Sequence, residues 1–129
     1  MEEFDFNNAQ IVKIGNSFLS RSKVNTVVLP NSVTTIDYGF CTYANSLTYV
    51  ELGENVTSIG GAFLYNSGVH KVLIVKSVIP PVVTEANYFL VNSGTTAIFV
   101  PDDSVEAYKS ADVWSGFAGR IKPLSDYIV

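Results

Sequence analysis

The chain predicts a β-rich repeat solenoid, with short parallel strands on one side, a turn-rich convex side opposite, and one short C-terminal helix. Three observations carry that expectation. Apolar positions recur at one spacing: Val27/Val50, Leu29/Leu52, Val33/Val56, Ile36/Ile59 and Phe40/Phe63 each lie 23 residues apart. Within each unit Val27/Leu29 and Val50/Leu52 stand at i, i+2, the strand period that sends both side chains to one face. Val and Ile together number 27 against 8 Leu, and β-branched residues favour a pleated surface. One such coil cannot bury its own apolar face, but stacked coils bury one another's.

Each element follows in order. A partial first copy places Ile11, Ile14 and Phe18 22 residues ahead of Val33, Ile36 and Phe40. The next coil runs from the Val27–Leu29 strand through the turn Pro30-Asn31-Ser32 to a second apolar segment, Val33/Ile36. A Gly-containing turn follows, and Phe40 drives back toward the interior. The coil after it repeats the order, with Gly53-Glu54-Asn55 as the turn. Further strands are expected at Val72–Ile74, with Val72 and Ile74 facing the core, and at Ile98–Val100, with Ile98 and Val100 facing it. The Pro80-Pro81 coil lacks the Ile-Gly-x-x-Phe pattern, and Val82, Phe89 and Val91 are read as its substitutes. After Pro101, Asp103 and Glu106 have capping-box spacing ahead of Val105, Tyr108 and Ala111, which predicts a helix over about residues 104–111. Trp114, Phe117 and Ile121 are expected to cover the end of the stack. The expected organisation is one domain over 1–124 with about four to five coils, 102–124 forming the cap and 125–129 a tail.

Composition narrows the function classes. A chain of 129 residues and 14.0 kDa is one domain's worth of material. At 47% hydrophobic, 16% charged and a mean hydropathy of +0.26 it is too apolar for a disordered chain. No window approaches the roughly 20 apolar residues of a membrane-spanning helix. Eight basic against twelve acidic residues leave a net charge of −4, which disfavours a nucleic-acid partner. One Cys and one His cannot make an internal disulfide or a four-ligand zinc site, so no metal or cofactor is expected.

The phrase Leu29-Pro30-Asn31-Ser32-Val33-Thr34-Thr35-Ile36, ending in Gly39-Phe40, resembles the BspA-like leucine-rich repeat of surface proteins from anaerobic commensal bacteria. The stretch Ile98-Phe99-Val100-Pro101-Asp102-Asp103-Ser104-Val105-Glu106-Ala107-Tyr108-Lys109, with Trp114, Phe117 and Arg120 to Leu124 after it, is similar to the segment that closes such arrays. The resemblance covers about residues 7–124. It implies a right-handed solenoid, an extracellular or cell-surface location, and adhesion or binding to a protein or glycan of a host or neighbouring cell. The acidic start Met1–Asp5 has no apolar leader, so that location implies a longer precursor. The family usually places Cys or Asn three residues after the Phe. Asn66 fits that pattern after Phe63, whereas Tyr43 stands there after Phe40, with Cys41 too early.

Candidate chemistry is sparse. His70, at a turn, has no second His, Ser nucleophile motif or identifiable carboxylate partner, and an exposed loop position explains it. Cys41 reads as a small buried hydrophobe, Asp102-Asp103 as helix-terminal acids, and Gly60-Gly61 as a turn lacking the features of a phosphate loop. The outer face of the parallel sheet is the better candidate. Alternation predicts the rows Val28, Glu51, Leu73, Phe99 and Thr26, Tyr49, Lys71, Ala97. Tyr49, Leu73 and Phe99 would form an apolar ligand-binding patch rimmed by Glu51 and Lys71. The expected function is a non-enzymatic binding or adhesion module without cofactor or membrane insertion. The alternative is a structural spacer or assembly element of a multidomain surface protein or virion appendage.

Overall fold

The computed structural model describes residues 2–4, 11–67, 71–85, 89–90 and 93–127. The strands are β1 (Glu2–Phe4), β2 (Lys13–Ile14), β3 (Val24–Val28), β4 (Thr35–Ile36), β5 (Tyr49–Leu52), β6 (Ser58–Ile59), β7 (Lys71–Val75), β8 (Val82–Val83), β9 (Thr95–Val100) and β10 (Ile121–Pro123). Among the described residues one α-helix, α1 (Val105–Ser110), lies between β9 and β10. The strands form two parallel sheets, a six-stranded one in the order β1-β3-β5-β7-β9-β10 and a four-stranded one in the order β2-β4-β6-β8. Odd and even strands alternate along the chain through β9, so each coil feeds one strand to each sheet.

Register explains the 23-residue period. Val27, Val50, Leu73, Ile98 and Ile121 are successive partners in the large sheet, and Ile14, Ile36, Ile59 and Val83 in the small one. All but the half-buried Val83 are buried, sandwiched between the sheets with Leu29, Val33, Leu52, Val56 and Val100.

Two expected positions shift by one residue. Val72 is half-buried and pairs with Tyr49 on the outer side, while Leu73 and Val75 take the core places expected of Val72 and Ile74. Ile74 is buried at 2% exposure but lies outside the core cluster, in the outer row beside Glu51 and Phe99. Four of the five β7 residues are apolar, so alternation cannot choose their face; backbone pairing chooses it. In the following coil Val83, not Val82, partners Ile59, and Val82 points outward at 65% exposure. Val91 lies outside the described residues.

A third line of contacts runs through the Phe turns. Cys41 N–H donates to the Phe63 carbonyl and Leu19 N–H to the Phe40 carbonyl, both at 2.9 Å. The rings of Phe18, Phe40, Phe63 and Phe89 follow one another at 6.5, 5.5 and 5.7 Å between centroids, with interplanar angles of 5°, 13° and 19°. Such pairs add roughly 0.5–1.5 kcal/mol each beyond area burial. The turns at Phe18, Phe40 and Phe63 each have two left-handed residues. One precedes the Phe (Ser17, Gly39, Ala62, φ of 54°, 73° and 51°) and one follows three residues later (Arg21, Tyr43, Asn66, φ of 62°, 59° and 53°). Tyr43 and Asn66 therefore occupy the same backbone conformation, which Asn tolerates better than Tyr. Gly60 answers a different demand. A Cβ there would sit 2.5 Å from the Tyr38 nitrogen of the coil below.

The ladder ends on the cap. Trp114 is fully buried, its ring 5.3 Å edge-on to Phe89, and its indole N–H donates to the Pro81 carbonyl at 2.9 Å. Tyr108, also fully buried, packs against Trp114 at 5.2 Å and donates to the Ser77 carbonyl at 2.6 Å. The helix starts after a 3-10 turn at Asp102–Ser104, and the expected capping box does not form: Ser104 is the N-cap and makes no side-chain cap. Its hydroxyl donates instead to the Val78 carbonyl at 2.7 Å, and Asp102 accepts from the Ser125 N–H at 2.9 Å. Ile121 is no loose cover; it sits in β10, paired with β9.

Two predictions follow from the turn and the cap. Gly39→Ala is expected to cost about 1 kcal/mol in urea unfolding and Ala62→Gly to gain up to about the same, because both positions require a positive φ. Trp114→Ala removes the final ring and orphans the Pro81 carbonyl. It should cost about 3–5 kcal/mol, and a loss below about 1 kcal/mol would show that the cap closes without it.

Candidate functional site

The outer face of the six-stranded sheet carries two side-chain rows fixed by pairing: Val28, Glu51, Ile74, Phe99, Lys122 and Thr26, Tyr49, Val72, Ala97. Of the five residues expected to bind, Tyr49, Glu51 and Phe99 share this face. Leu73 and Lys71 do not; both point inward and are buried.

At the heart of the face is a hydrogen-bonded chain. The Tyr49 hydroxyl donates to Glu51 Oε1 at 2.7 Å, and Glu51 Oε2 meets Lys76 Nζ at 2.8 Å. Burial opposes the charge on Glu51, but the bonds from Lys76 and Tyr49 outweigh it and hold the carboxyl below its ordinary value. Burial, then the bond to Glu51, pushes the Tyr49 phenol well above its ordinary value. The three groups form a preset polar spot, a carboxylate held between a phenol and an ammonium.

Beside it, the apolar part of the face is occupied by the chain itself. The ring of Tyr127 lies 6.2 Å from Tyr49 and 5.1 Å from Phe99, bridging β5 and β9 across β7. Phe99 keeps 7% exposure against this ring, and Ile74, its partner on β7, keeps 2%. Tyr127, within the stretch expected to be a tail, is therefore part of the face. Lys76 was legible, because the 23-residue spacing sets Ile74 beside Glu51 and Lys76 two residues on. Tyr127 was not, because nothing local in Ser125-Asp126-Tyr127 signals a return to the sheet.

Lys71 is the largest departure from the expected face. It is 1% exposed, and its ammonium donates to the carbonyls of Ser67 (2.8 Å) and Ser93. A local slip in the β7–β9 pairing, where Lys71 faces Thr95 and Val72 faces Ala97, makes room for it. Burial pushes its pKa down to about 8, with Cys41 opposing weakly. Cys41 is itself fully buried and pushed above its ordinary range. His70 lies outside the described residues. No group of three or more His, Cys, Asp or Glu that could hold a metal occurs among the described residues.

The family model of the BspA-type leucine-rich repeat region matches residues 1–90 of this chain of parallel coils, in six copies. The chain belongs to the BspA-type leucine-rich repeat family. The repeats of this family form a non-catalytic protein-interaction module, commonly at a surface. The cap from Pro101 onward lies beyond the matched region. No curated protein matches the chain significantly.

Lys71 generates a pH prediction. Its folded pKa lies below the unfolded value of 10.5, so the unfolded chain binds the proton more tightly and the residue's contribution to stability rises with pH from about 8 to 10.5. Cys41 and the buried tyrosines act in the opposite sense, but they cancel in a comparison with Lys71→Met. The wild-type stability minus that of Lys71→Met should rise by about 2 kcal/mol between about pH 8 and pH 10 in denaturant titrations. A flat difference would show that burial does not depress this amine.

Proposed function

We propose that this chain is a non-enzymatic binding module that presents the outer face of its six-stranded sheet to a protein or glycan of a host or neighbouring cell, at a cell surface. The observation that carries the reading is the preset Tyr49–Glu51–Lys76 chain on a rigid, in-register sheet. A phenol, a carboxylate and an ammonium held in one geometry offer donors and acceptors at little ordering cost. The aromatic neighbours Tyr49 and Tyr127 add surface of the kind that dominates binding hot spots. Family membership supports the same reading, and the net charge of −4 opposes a nucleic-acid partner.

One observation favours a second reading, a structural spacer or assembly element of a multidomain surface protein or virion appendage. The chain's own Tyr127 segment covers the apolar centre of the face, as it would if the sheet only needed shielding.

An array of immobilised glycans and extracellular host proteins distinguishes the two. The binding reading expects saturable capture of at least one class of probe, reduced about tenfold or more by Glu51→Ala with Lys76→Ala while the thermal midpoint stays within a few degrees. Capture that ignores those substitutions would remove the sheet face from the interaction. No capture of any probe would favour the spacer.

A further inference from the structure

The corner between β7 and β8 is chemically unlike its counterparts. The two preceding coils turn there with Pro30-Asn31-Ser32 and Gly53-Glu54-Asn55, whereas this one runs Ser77-Val78-Ile79-Pro80-Pro81-Val82. Val78, Ile79 and Val82 are 68%, 79% and 65% exposed. The turn does not require them, because polar residues make the same corner one coil earlier. Singly exposed apolar residues are ordinary; three within five positions make a patch of the kind that marks contact sites.

The corner is also held from beneath. Its carbonyls at Ser77, Val78 and Pro81 accept hydrogen bonds from Tyr108, Ser104 and Trp114, and the Ser77 hydroxyl donates to the Val56 carbonyl at 2.8 Å. Two prolines remove further backbone freedom. The branched side chains are thus displayed on an immobilised backbone, and a partner that covers them orders little.

Acids flank the patch. A shallow cleft on one side joins Val78 and Ile79 to Glu54, and a second on the other joins Pro80 and Val82 to Asp112. Exposed Glu85 follows β8. Neither cleft is lined by a Lys or Arg, and the neighbouring Lys76 is engaged with Glu51.

We propose that Val78, Ile79 and Val82 form a second docking surface, apart from the sheet face, for a protein segment with an apolar centre flanked by Lys or Arg. The carboxylate rim attracts such flanks. It repels a second copy of a chain with net charge −4, and an anionic bilayer likewise. The surface stands independently of the sheet-face reading, which uses other residues.

Trp114 reports on the corner, being the chain's single Trp and hydrogen-bonded to the Pro81 carbonyl. The probes are two peptides with the same Leu-Phe-Leu centre, one flanked by Lys pairs and the other by Glu pairs. They are titrated into the full chain while Trp114 emission and the methyl NMR signals of Val78, Ile79 and Val82 are followed. The Lys-flanked peptide should bind about tenfold or more tightly than its counterpart, with methyl shifts confined to the corner. Val78→Ser/Ile79→Ser/Val82→Ser should abolish that binding without changing the melt, and Glu54→Gln/Asp112→Asn should reduce the preference for Lys flanks about threefold or more. Equal binding of the two peptides, or binding unchanged in the triple variant, overturns the proposal. So does Ile79-dependent binding to phosphatidylcholine–phosphatidylglycerol vesicles, or Ile79-dependent dimerisation in ultracentrifugation, since each assigns the patch to a different occupant. None of these results bears on Glu51 or Lys76, so failure here leaves the sheet-face reading standing.

Discussion

Backbone pairing between successive coils is the constraint on which the rest of this molecule depends. No coil has a core of its own. Val50 and Leu52, for instance, are fully buried because β3 lies on one side of their strand and β7 on the other. Where the register is kept, inner and outer side chains fall into rows without further instruction. Where a coil changes length, the excess has to appear as a local irregularity. The step from Leu73 to Ile98 spans 25 residues instead of 23, and the slip it forces at Lys71 places an ammonium inside the stack. The carbonyls of Ser67 and Ser93 accept that charge.

How much of this could be read beforehand depended on whether a signal was periodic. The Phe ladder and the inward rows of β3, β5 and β9 follow from positions that repeat, and Trp114 from the need to close an apolar end. The inward face of β7 is not set by alternation, because Val72, Leu73, Ile74 and Val75 are all apolar; the 23-residue spacing from Val50 carries it and points to Leu73. Lys71 looked like a surface residue by chemistry, although the same spacing sets it two places before Leu73 on the inner side. The left-handed conformation was visible at Gly39 but not at Ser17 or Ala62, whose residue types do not require it. Tyr127 reaches the sheet through contacts between segments far apart in sequence, which no local pattern encodes. Ser104 has the chemistry of a helix cap, yet its hydroxyl serves the Val78 carbonyl, a tertiary bond that outcompeted the local one.

The cap and the two surfaces are linked through the same side chains. Tyr108, Ser104 and Trp114 close the apolar end of the stack and also fix the corner that carries Val78 and Ile79. The segment beyond β10 brings Tyr127 back over Phe99 and Tyr49. What finishes the core therefore also shapes what the exterior presents, and the C-terminal third cannot be separated from the repeats without altering both.

The last strand of the large sheet has a further consequence. β10 is only three residues long, Ile121-Lys122-Pro123, and a 3-10 turn follows it at once. A charged residue and a proline, which has no N–H to lend an incoming chain, make its open margin a poor template for another strand. Parallel stacking is in principle endless, the geometry of fibres. Here the pairing that builds the array meets a rung at β10 that offers little to continue it, which guards this margin against edge-on polymerisation.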